Sequence, residues 1–445
     1  MGVDFVVWHT PADEKKGENV QWTAQIDACT HRLAPLSQGR VDPNTKCIEC
    51  PYHGWQFDKD GTITSIPQLE DTNSIRKFQE TDGNVQTFPI HVVGDVIFVF
   101  LPTSMHGEMF PQSILPEEYY PTLSTITEDA SKQFFVRDLP YSFDFLVENF
   151  MDPAHIPFAH HKLQGTRDDA TPIEMAELVS NFTHVELSFK DITGKRKRDA
   201  YASFQRPSLY HFGEYKDKIR IDEATGKMGR VPGLNILCVP VEAGRSRLFI
   251  PPFPIKIPLP TFLLHAGSNR FLNTDIWLHN TEREAARRKS LCKSSSSTAT
   301  SRKLAGLDYT YASQSDLGVS AFRKWWKKHG MSDAPANTFS MATSEQLRQS
   351  RPDALARKEQ IDPWENHAKH CSSCRRDLKK LKRGQHFLFF FAITATAFIR
   401  RSPAASVAGA GLGLCGYHFL KRLATVIEGN PERSGVNDRS VSASA

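Results

Sequence analysis

Two short cysteine and histidine motifs constrain the fold of this chain more than any other feature. They are "CTHR" at 29–32 and "CPYHGW" at 50–55. Each motif supplies one Cys and one His, and 18 residues separate His31 from Cys50. A zinc finger normally offers a Cys pair and then a His pair, so this ligand order disfavours structural zinc. The order instead indicates two loops that each give one thiolate and one imidazole to a shared centre.

A Rieske [2Fe-2S] cluster meets this demand, because it needs two thiolates on one iron and two imidazoles on the other. We expect Cys29 and Cys50 to hold one iron, and His31 and His53 the other. Neutral imidazoles raise the reduction potential, which suits a centre that accepts an electron from ferredoxin. Cys47 forms a CxxC with Cys50, but the strand-like "KCIEC" places it away from the ligand loop, so we interpret it as a non-ligand.

A second histidine-rich stretch, "ENFMDPAHIPFAHH", lies at 148–161. Asn149, Asp152 and His155 follow one another at i, i+3 and i+6, which puts them close together on a helical face. Asp152 is better placed to hydrogen-bond a histidine than to share a metal with it, and Asn149 is expected beside the same site. Histidines held within a loop by ordinary hydrogen bonds are the alternative reading of this stretch.

The prolines of this stretch predict that its helix kinks and then ends. Pro153 removes a backbone donor, and Pro157 disfavours helix at the residue before it. The break would turn His155 and His160 toward one point. Two histidines and one carboxylate are typical of the non-haem Fe(II) oxygenases, so a carboxylate from elsewhere in the chain is required.

The two metal motifs, CxH…CxxHGW and NxxDPAHxPxxH, together resemble those of the Rieske non-haem iron oxygenases. Four longer segments are similar in sequence to one branch of that family. They are "CTHRLAPLSQGR", "CPYHGWQFDKDG", "ENFMDPAHIPFAHH" and "HCSSCR". The branch contains pheophorbide a oxygenase, chlorophyllide a oxygenase, protochlorophyllide-related oxygenases and a Rieske protein of the chloroplast inner-envelope translocon. The resemblance implies a Rieske module before a helix-grip-like antiparallel-sheet catalytic domain.

The residue pattern by itself predicts the same fold class. Short strand-like runs separated by turns over residues 1–105 predict a small all-β module. Between about 115 and 285, strand-like runs follow one helical pattern at 141–156, and a second helical pattern begins near Phe271. This mixture predicts an α+β domain with an antiparallel sheet.

The resemblance also implies the roles of the second site. His155 and His160 would bind a mononuclear Fe(II), and Asp152 would connect the Rieske histidine of one subunit to the iron histidine of its neighbour, as in a homotrimer. The third iron ligand would be an acid in "FLNTDIWLHNTERE". Asp275 is our choice over Glu282.

The implied activity is ferredoxin-dependent insertion of oxygen from O₂ into a chlorophyll-derived tetrapyrrole, of the pheophorbide a oxygenase type. Alternatives are a chlorophyllide a or protochlorophyllide a oxygenase, a translocon-associated Rieske and thiol redox sensor, and a sterol-type Rieske oxygenase. A Gly-rich flavin or nicotinamide motif is not apparent, so the reductant is expected to be a separate protein. The formal net charge is only +5, and a nucleic-acid partner is therefore not predicted.

A CxxC near the C-terminus is a third candidate site. Cys371 and Cys374 lie beside His370 and Arg375, whose positive charge would lower a thiol pKa. From these residues alone, three interpretations of the CxxC are possible. It could have a redox role, supply half of the ligands of a zinc site, or consist of two thiols without a function. By resemblance, "HCSSC" is a redox switch that responds to thioredoxin.

Two apolar runs at 386–399 and 403–420 predict a helical hairpin. Each run is at or below the roughly 18–20 residues of a bilayer span, so a buried hairpin is the alternative. Basic flanks and small residues favour a membrane anchor. The resemblance implies a chloroplast membrane, either inner envelope or thylakoid. The resemblance also implies a transit peptide and further strands before the first motif, whereas only 28 residues precede Cys29 and no transit peptide is visible. We therefore expect either a truncated N-terminus or a Rieske module without some of its edge strands.

The predicted organisation has five parts. They are a Rieske domain at 1–110, a mononuclear-iron domain at 111–350 with a flexible Ser-rich loop at 292–301, a CxxC linker at 351–384, a membrane-anchoring hairpin at 385–423, and a disordered tail at 424–445.

Overall fold

The chain forms two compact units. The computed structural model describes residues 4–10, 20–69, 72–81, 83–93, 96–99, 134–206, 208–215, 230–251, 258–294, 309–329, 360–397 and 402–429. One unit comprises Met1–Lys132 and Asp333–Thr338, and the other comprises Gln133–Ser332 and Phe339–Ala445. The predicted boundary at 110 and most of the predicted Ser-rich loop lie outside the described residues.

The first unit is built from short antiparallel strands, as the turn-rich sequence predicts. Three sheets have the orders β1-β2-β7, β3-β4-β5-β6 and β8-β9. Trp8, Leu36, Phe57 and Ile63 are among the residues of its apolar core. In chain order, the elements are β1 (Phe5–Thr10), β2 (Gln21–Ile26), β3 (Arg40–Val41), β4 (Ile48–Glu49), β5 (Gln56–Phe57), β6 (Ile63–Ser65), α1 (Thr72–Gln79), β7 (Thr87–Phe88), β8 (Ile90–Val93) and β9 (Val96–Val99), with a 3₁₀ turn at Leu36–Gln38.

The second unit contains a seven-stranded antiparallel sheet of order β10-β16-β15-β14-β13-β12-β11. Its strands are β10 (Phe135–Leu139), β11 (Glu174–Ser180), β12 (His184–Thr193), β13 (Arg196–Gln205), β14 (Leu209–Tyr215), β15 (Arg230–Glu242) and β16 (Arg245–Ile250). The long β12 and β13 pair directly through a two-residue turn, in which Gly194 and Lys195 both have positive φ. Such a turn matches the twist of the strands that it joins.

Helices complete the second unit, and together with the sheet they confirm the α+β class. They are α2 (Phe143–Phe150), α3 (Ile156–Ala159), α4 (Thr261–Leu272), α5 (Leu278–Ser294), α6 (Leu317–His329), α7 (Ser372–Ala397) and α8 (Pro403–Glu428), with 3₁₀ turns at Pro153–His155, Arg167–Asp169 and Gln314–Asp316 and a π-helix at Trp364–Ala368. Aromatic contacts of Phe204 with Phe143, Phe322 and Trp325 pack α2 and α6 against the sheet.

The helix that the sequence places near Phe271 in fact begins ten residues earlier, at Thr261. Pro260 is its N-cap, and a proline before the first turn loses no intrahelical hydrogen bond. The chain then makes a turn and begins α5 at Leu278. Asp275 lies in that turn, between two helices.

The C-terminal apolar runs form two long helices, α7 and α8, that pack against each other as a hairpin. Small residues allow the close approach, since a Cβ at Gly413 would lie 2.9 Å from both the Ala392 Cβ and the Leu388 carbonyl oxygen. Within the described ranges, no helix is both long and apolar enough to cross a bilayer. The predicted hairpin is present, but its predicted transmembrane character is not supported.

Two predicted boundaries near the C-terminus differ from the structure. The described part of the predicted linker contains the π-helix and the start of α7, and both pack into the second unit around Cys371 and Cys374. The predicted tail begins inside α8, which continues to Glu428 and buries Ala424 and Ile427. These apolar contacts hold the base of the hairpin to α4 and the π-helix of the same unit.

Candidate metal centres

The two Cys and His motifs of the first unit adopt the same backbone turn. The Cys29 N–H donates to the Ala34 carbonyl at 2.9 Å, and the Cys50 N–H donates to the Trp55 carbonyl at 2.8 Å. In each loop the residue four positions after the cysteine has a left-handed φ, 57° at Leu33 and 73° at Gly54. A glycine such as Gly54 adopts this conformation readily, whereas a leucine seldom does, so the turn at Leu33 has no signal in the sequence.

These loops bring the proposed Rieske ligands together in pairs, the two cysteines with each other and the two histidines with each other. Cys29 and Cys50 are buried, with exposures of 1% and 3%, and burial raises the pKa of Cys29 to about 11. The rings of His31 and His53 have centroids 4.6 Å apart, and Trp55 stacks on His31 at 4.6 Å. The Nδ1 atom of His31 is buried without a hydrogen-bond partner among the described residues. A buried lone nitrogen beside paired thiols fits a metal cluster.

The side chain of Cys47 contacts two threonines. Its sulfur lies 3.4 Å from the Thr45 carbonyl oxygen and 3.5 Å from the Thr64 hydroxyl. These contacts agree with its interpretation as a non-ligand.

The second site is formed where α2 ends. After Phe150 the chain enters the 3₁₀ turn Pro153–His155 and then the short α3. The break directs both imidazoles to one point, with 3.3 Å between the Nε2 atoms of His155 and His160. The predicted kink thus accounts for their convergence.

Asp275 completes this group from more than a hundred residues away in sequence. Its Oδ2 lies 3.2 Å from His160 Nε2, and the ligand atoms of Asp275, His155 and His160 all lie within 4.8 Å of one another. Asp275 is only 2% exposed, and its Oδ1 has no hydrogen-bond partner among the described residues. An unpaired buried carboxylate oxygen is costly unless a cation satisfies it.

Hydrogen bonds to the outer nitrogens fix the tautomers of the two histidines. The Thr274 hydroxyl donates to the Phe271 carbonyl at 2.6 Å, so its oxygen accepts the Nδ1 proton of His160 at 2.7 Å. His155 Nδ1 likewise donates to the backbone carbonyl of Asp152. Both Nε2 atoms therefore present lone pairs to the same point. Two lone pairs at 3.3 Å repel unless a cation lies between them, and bonds of about 2.1 Å at about 100° give such a spacing.

The remaining residues of the stretch have supporting contacts. Asn149 Nδ2 donates to Asp275 Oδ2 at 3.3 Å, which orients the carboxylate. The Asp152 carboxylate accepts from the Ala154 N–H at 2.8 Å and so caps the 3₁₀ turn. It lies 4.0 Å from His155 Nδ1, so the expected hydrogen bond to that histidine comes from the Asp152 backbone and not from its side chain. Burial raises the pKa of the Asp152 carboxyl.

Glu282, the rejected candidate, lies elsewhere. Its carboxylate accepts the Ser142 N–H at 3.0 Å, and burial raises its pKa to about 7. Because this pKa is above the unfolded value of 4.5, the protonated group favours folding, and that contribution is lost as the pH rises through 7.

Glu282→Gln should remove this pH dependence. The amide keeps an acceptor for Ser142 but never becomes charged, so the variant should match or exceed the wild-type free energy of unfolding at pH 8, by up to about 3 kcal/mol. Urea unfolding of both proteins between pH 5 and 8 measures the difference. An equal pH slope in the two proteins would contradict this account.

The CxxC has surroundings that differ from those predicted. His370 turns toward Asp138, 3.6 Å away, and not toward the thiols. The thiols of Cys371 and Cys374 instead meet two histidines that the sequence reasoning missed, His265 and His367. The spacing H-x₃-C-x₂-C at 367–374 was a usable signal for His367, whereas His265 is too distant in sequence. A hydrogen bond with Cys374 lowers the pKa of Cys371.

Comparisons with known proteins agree with both metal centres. A family model of the Rieske [2Fe-2S] domain matches residues 1–89. Pheophorbide a oxygenase of Oryza sativa subsp. japonica is 30% identical over 84% of this chain and 68% of its own length. Protochlorophyllide-dependent translocon component 52 of Arabidopsis thaliana is 30% identical over 86% of this chain and 70% of its own. Both relatives are chloroplastic.

A solved structure supports the fold. Dicamba monooxygenase bound to dicamba matches with a TM-score of 0.50 and 16% identity, over 74% of this chain and 90% of its own. The fold and the two centres thus define an oxygen-incorporating oxidoreductase of the Rieske class, whose cofactors are a [2Fe-2S] cluster and a mononuclear iron. Within that class, the chain belongs to the family that includes pheophorbide a oxygenase and the translocon component.

Proposed function

We propose that this protein is a ferredoxin-dependent oxygenase that inserts oxygen from O₂ into a chlorophyll-derived tetrapyrrole. The observation that carries the proposal is the convergence of two imidazole lone pairs and a buried carboxylate, from His155, His160 and Asp275. Fe(II) bound by such a triad keeps open positions and supplies the activation of O₂. We assign the three residues as its ligands.

The chain prepares this triad before metal binds. The Thr274 hydroxyl and the Asp152 carbonyl hold the protons on the outer nitrogens, and Asn149 orients the carboxylate. Phe271 stacks on the ring of His160 with centroids 3.8 Å apart, which restricts its rotation. Such outer contacts align metal ligands and increase their basicity.

Thr274→Val should therefore weaken iron binding by about 10- to 100-fold. Valine has a similar shape but cannot accept the Nδ1 proton of His160. Titration of the iron-depleted protein with Fe(II) measures the change, and Thr274→Ser is the matched control because it keeps the hydroxyl. Equal affinities of the valine and serine variants would contradict the role of this hydrogen bond.

The substrate class is inferred from the relatives. Pheophorbide a is the first candidate, and chlorophyllide a and protochlorophyllide a are the alternatives. The test is reconstitution with reduced ferredoxin and these three compounds in labelled O₂, followed by mass analysis, with a sterol as a fourth arm. We expect label in the pheophorbide product. Label in the sterol alone would contradict the tetrapyrrole assignment, and no labelled product in any arm would favour a translocon-associated redox protein.

We further propose that Asp152 connects the iron site to the Rieske histidine of a neighbouring subunit. Its side chain is 29% exposed, and its carboxylate lies 4.0 Å from Nδ1 of His155, which follows three residues later in the chain. This role requires a homotrimer. Sedimentation equilibrium would measure the mass of the assembly. A monomeric active enzyme would contradict it.

A chloroplast membrane is the proposed location. The hairpin carries exposed apolar side chains, among them Phe387, Phe390 and Leu412, and basic residues precede them in α7. We propose that this surface lies against lipid. Flotation with anionic liposomes should recover the protein, and failure to float would contradict the contact.

A further inference from the structure

Four metal-binding side chains that the proposed oxygenase function does not use meet at the base of the hairpin. His265 lies on α4, His367 in the π-helix, Cys371 just before α7, and Cys374 in its first turn. Their exposures are 8%, 2%, 2% and 2%, and their ligand atoms all lie within 4.8 Å of one another. We call these four residues the His₂Cys₂ cluster.

The distances within the cluster suit a single ion. His265 Nδ1 lies 3.3 Å from Cys374 Sγ and 3.5 Å from Cys371 Sγ, and His367 Nε2 lies 3.3 Å from Cys374 Sγ. Tetrahedral zinc, with bonds of about 2.05 Å to nitrogen and about 2.3 Å to sulfur, separates its ligands by about 3.4–3.8 Å. A two-iron cluster would hold the sulfurs and nitrogens on separate irons, which this compact group does not allow.

A hydrogen bond to the backbone orients His367 within the cluster. His367 Nδ1 lies 2.5 Å from the Val136 carbonyl and donates to it, so its Nε2 presents a lone pair toward the sulfurs. Phe135 stacks on the ring of His367 and meets the ring of His265 edge-on. Metal-bound histidines generally donate their outer N–H to a carbonyl or carboxylate in this way.

The donor set selects the metal and its role. Two thiolates and two neutral imidazoles cancel the charge of one Zn²⁺, which makes burial among apolar residues such as Phe262, Ala368 and Leu378 tolerable. Four protein ligands in a tetrahedron leave no open position, as in structural zinc sites. Tetrahedral S₂N₂ donors favour zinc among the common ions.

We propose that His265, His367, Cys371 and Cys374 bind one structural Zn²⁺, which ties the base of the hairpin to α4. The end of α4 leads directly to Thr274 and Asp275, so the zinc also steadies the element that presents the iron carboxylate. While zinc is bound, the two thiolates are not free to form a disulfide, so the CxxC is a metal clamp in place of the predicted thioredoxin switch.

The test begins with the full wild-type chain, purified without chelator. Elemental analysis should find one zinc per chain beside the iron. X-ray absorption at the zinc edge should fit two sulfur and two nitrogen neighbours, at about 2.3 Å and 2.05 Å. Neither measurement depends on turnover. The zinc proposal is therefore tested independently of the oxygenase proposal.

Substitutions then assign the ligands. Cys374→Ser and His367→Gln should each lose most of the zinc while keeping the Rieske absorbance of the first unit. Cys238→Ala removes a buried thiol of the same unit outside the cluster, and it should keep zinc at the wild-type level. Wild-type protein that lacks zinc, a zinc-edge spectrum without sulfur, or a Cys371–Cys374 disulfide in the purified protein would each overturn the proposal.

Discussion

Replacing His155 by alanine should reduce oxygen insertion by at least about 10³-fold, because the loss of a ligand removes the metal contribution to the barrier. The remaining pair, His160 and Asp275, would offer too few donors to hold Fe(II). The visible absorbance of the Rieske cluster should persist, since its ligands belong to a different unit. Product formation with reduced ferredoxin and bound iron per chain are the quantities to measure.

His161 provides the matched control for this experiment. It is the next residue after His160, but its Nδ1 accepts the Arg167 N–H at 3.2 Å and takes no part in the triad. His161→Ala should therefore keep its iron and most of its activity. Turnover that survived in His155→Ala, or was lost equally in His161→Ala, would refute the ligand assignment.

Cys50→Ser should abolish the [2Fe-2S] cluster and lower ferredoxin-driven turnover to about 1% or less, because one iron loses a thiolate. The paired cysteine, Cys29, cannot hold that iron alone. The measurements are the visible spectrum, the electron paramagnetic resonance of the reduced protein, and acid-labile sulfide. Mononuclear iron in the second unit should remain, which separates this effect from general misfolding.

Cys47 allows a sharp comparison, since it is buried in the same unit three residues before Cys50 and also forms a CxxC. Cys47→Ala removes a thiol whose contacts are with Thr45 and Thr64. It should keep the cluster, with only a modest loss of stability. A colourless Cys47→Ala protein would show that the ligand set has been assigned wrongly.

The sites differ in whether their residues are close together in the sequence, and this difference decided what the sequence could predict. The proposed Rieske ligands lie in two short loops, each with a cysteine and a histidine only two or three positions apart, so spacing alone predicted which types of group would meet. The stretch at 148–161 was predictable for the same reason, because Pro153 and Pro157 act locally on the helix that they interrupt. Asp275 could be chosen over Glu282 only by resemblance, since both are acids near the start of one predicted helix.

The CxxC shows where local reasoning failed. His370 and Arg375 are its neighbours in sequence, and the predicted lowering of a thiol pKa depended on their positive charge. In the structure, α4 packs against α7 and brings His265 to the thiols, while Phe135 of β10 packs on the rings of His265 and His367. Neither residue carries a signal of this contact, because their separation from the CxxC exceeds any helical or strand period.

By itself, the sequence predicted the class of fold from its strand and helix patterns. It also predicted the four Rieske ligands and the paired histidines of the proposed iron site, because ligand type, spacing and proline position act over a few residues. Only the tertiary structure decided the rest. It brought Asp275 and Thr274 to His160, gave Glu282 a different partner, and brought His265 to the distant segment that contains His367, Cys371 and Cys374. Those choices depend on how a seven-stranded sheet and its helices pack, and packing joins residues that no local pattern connects.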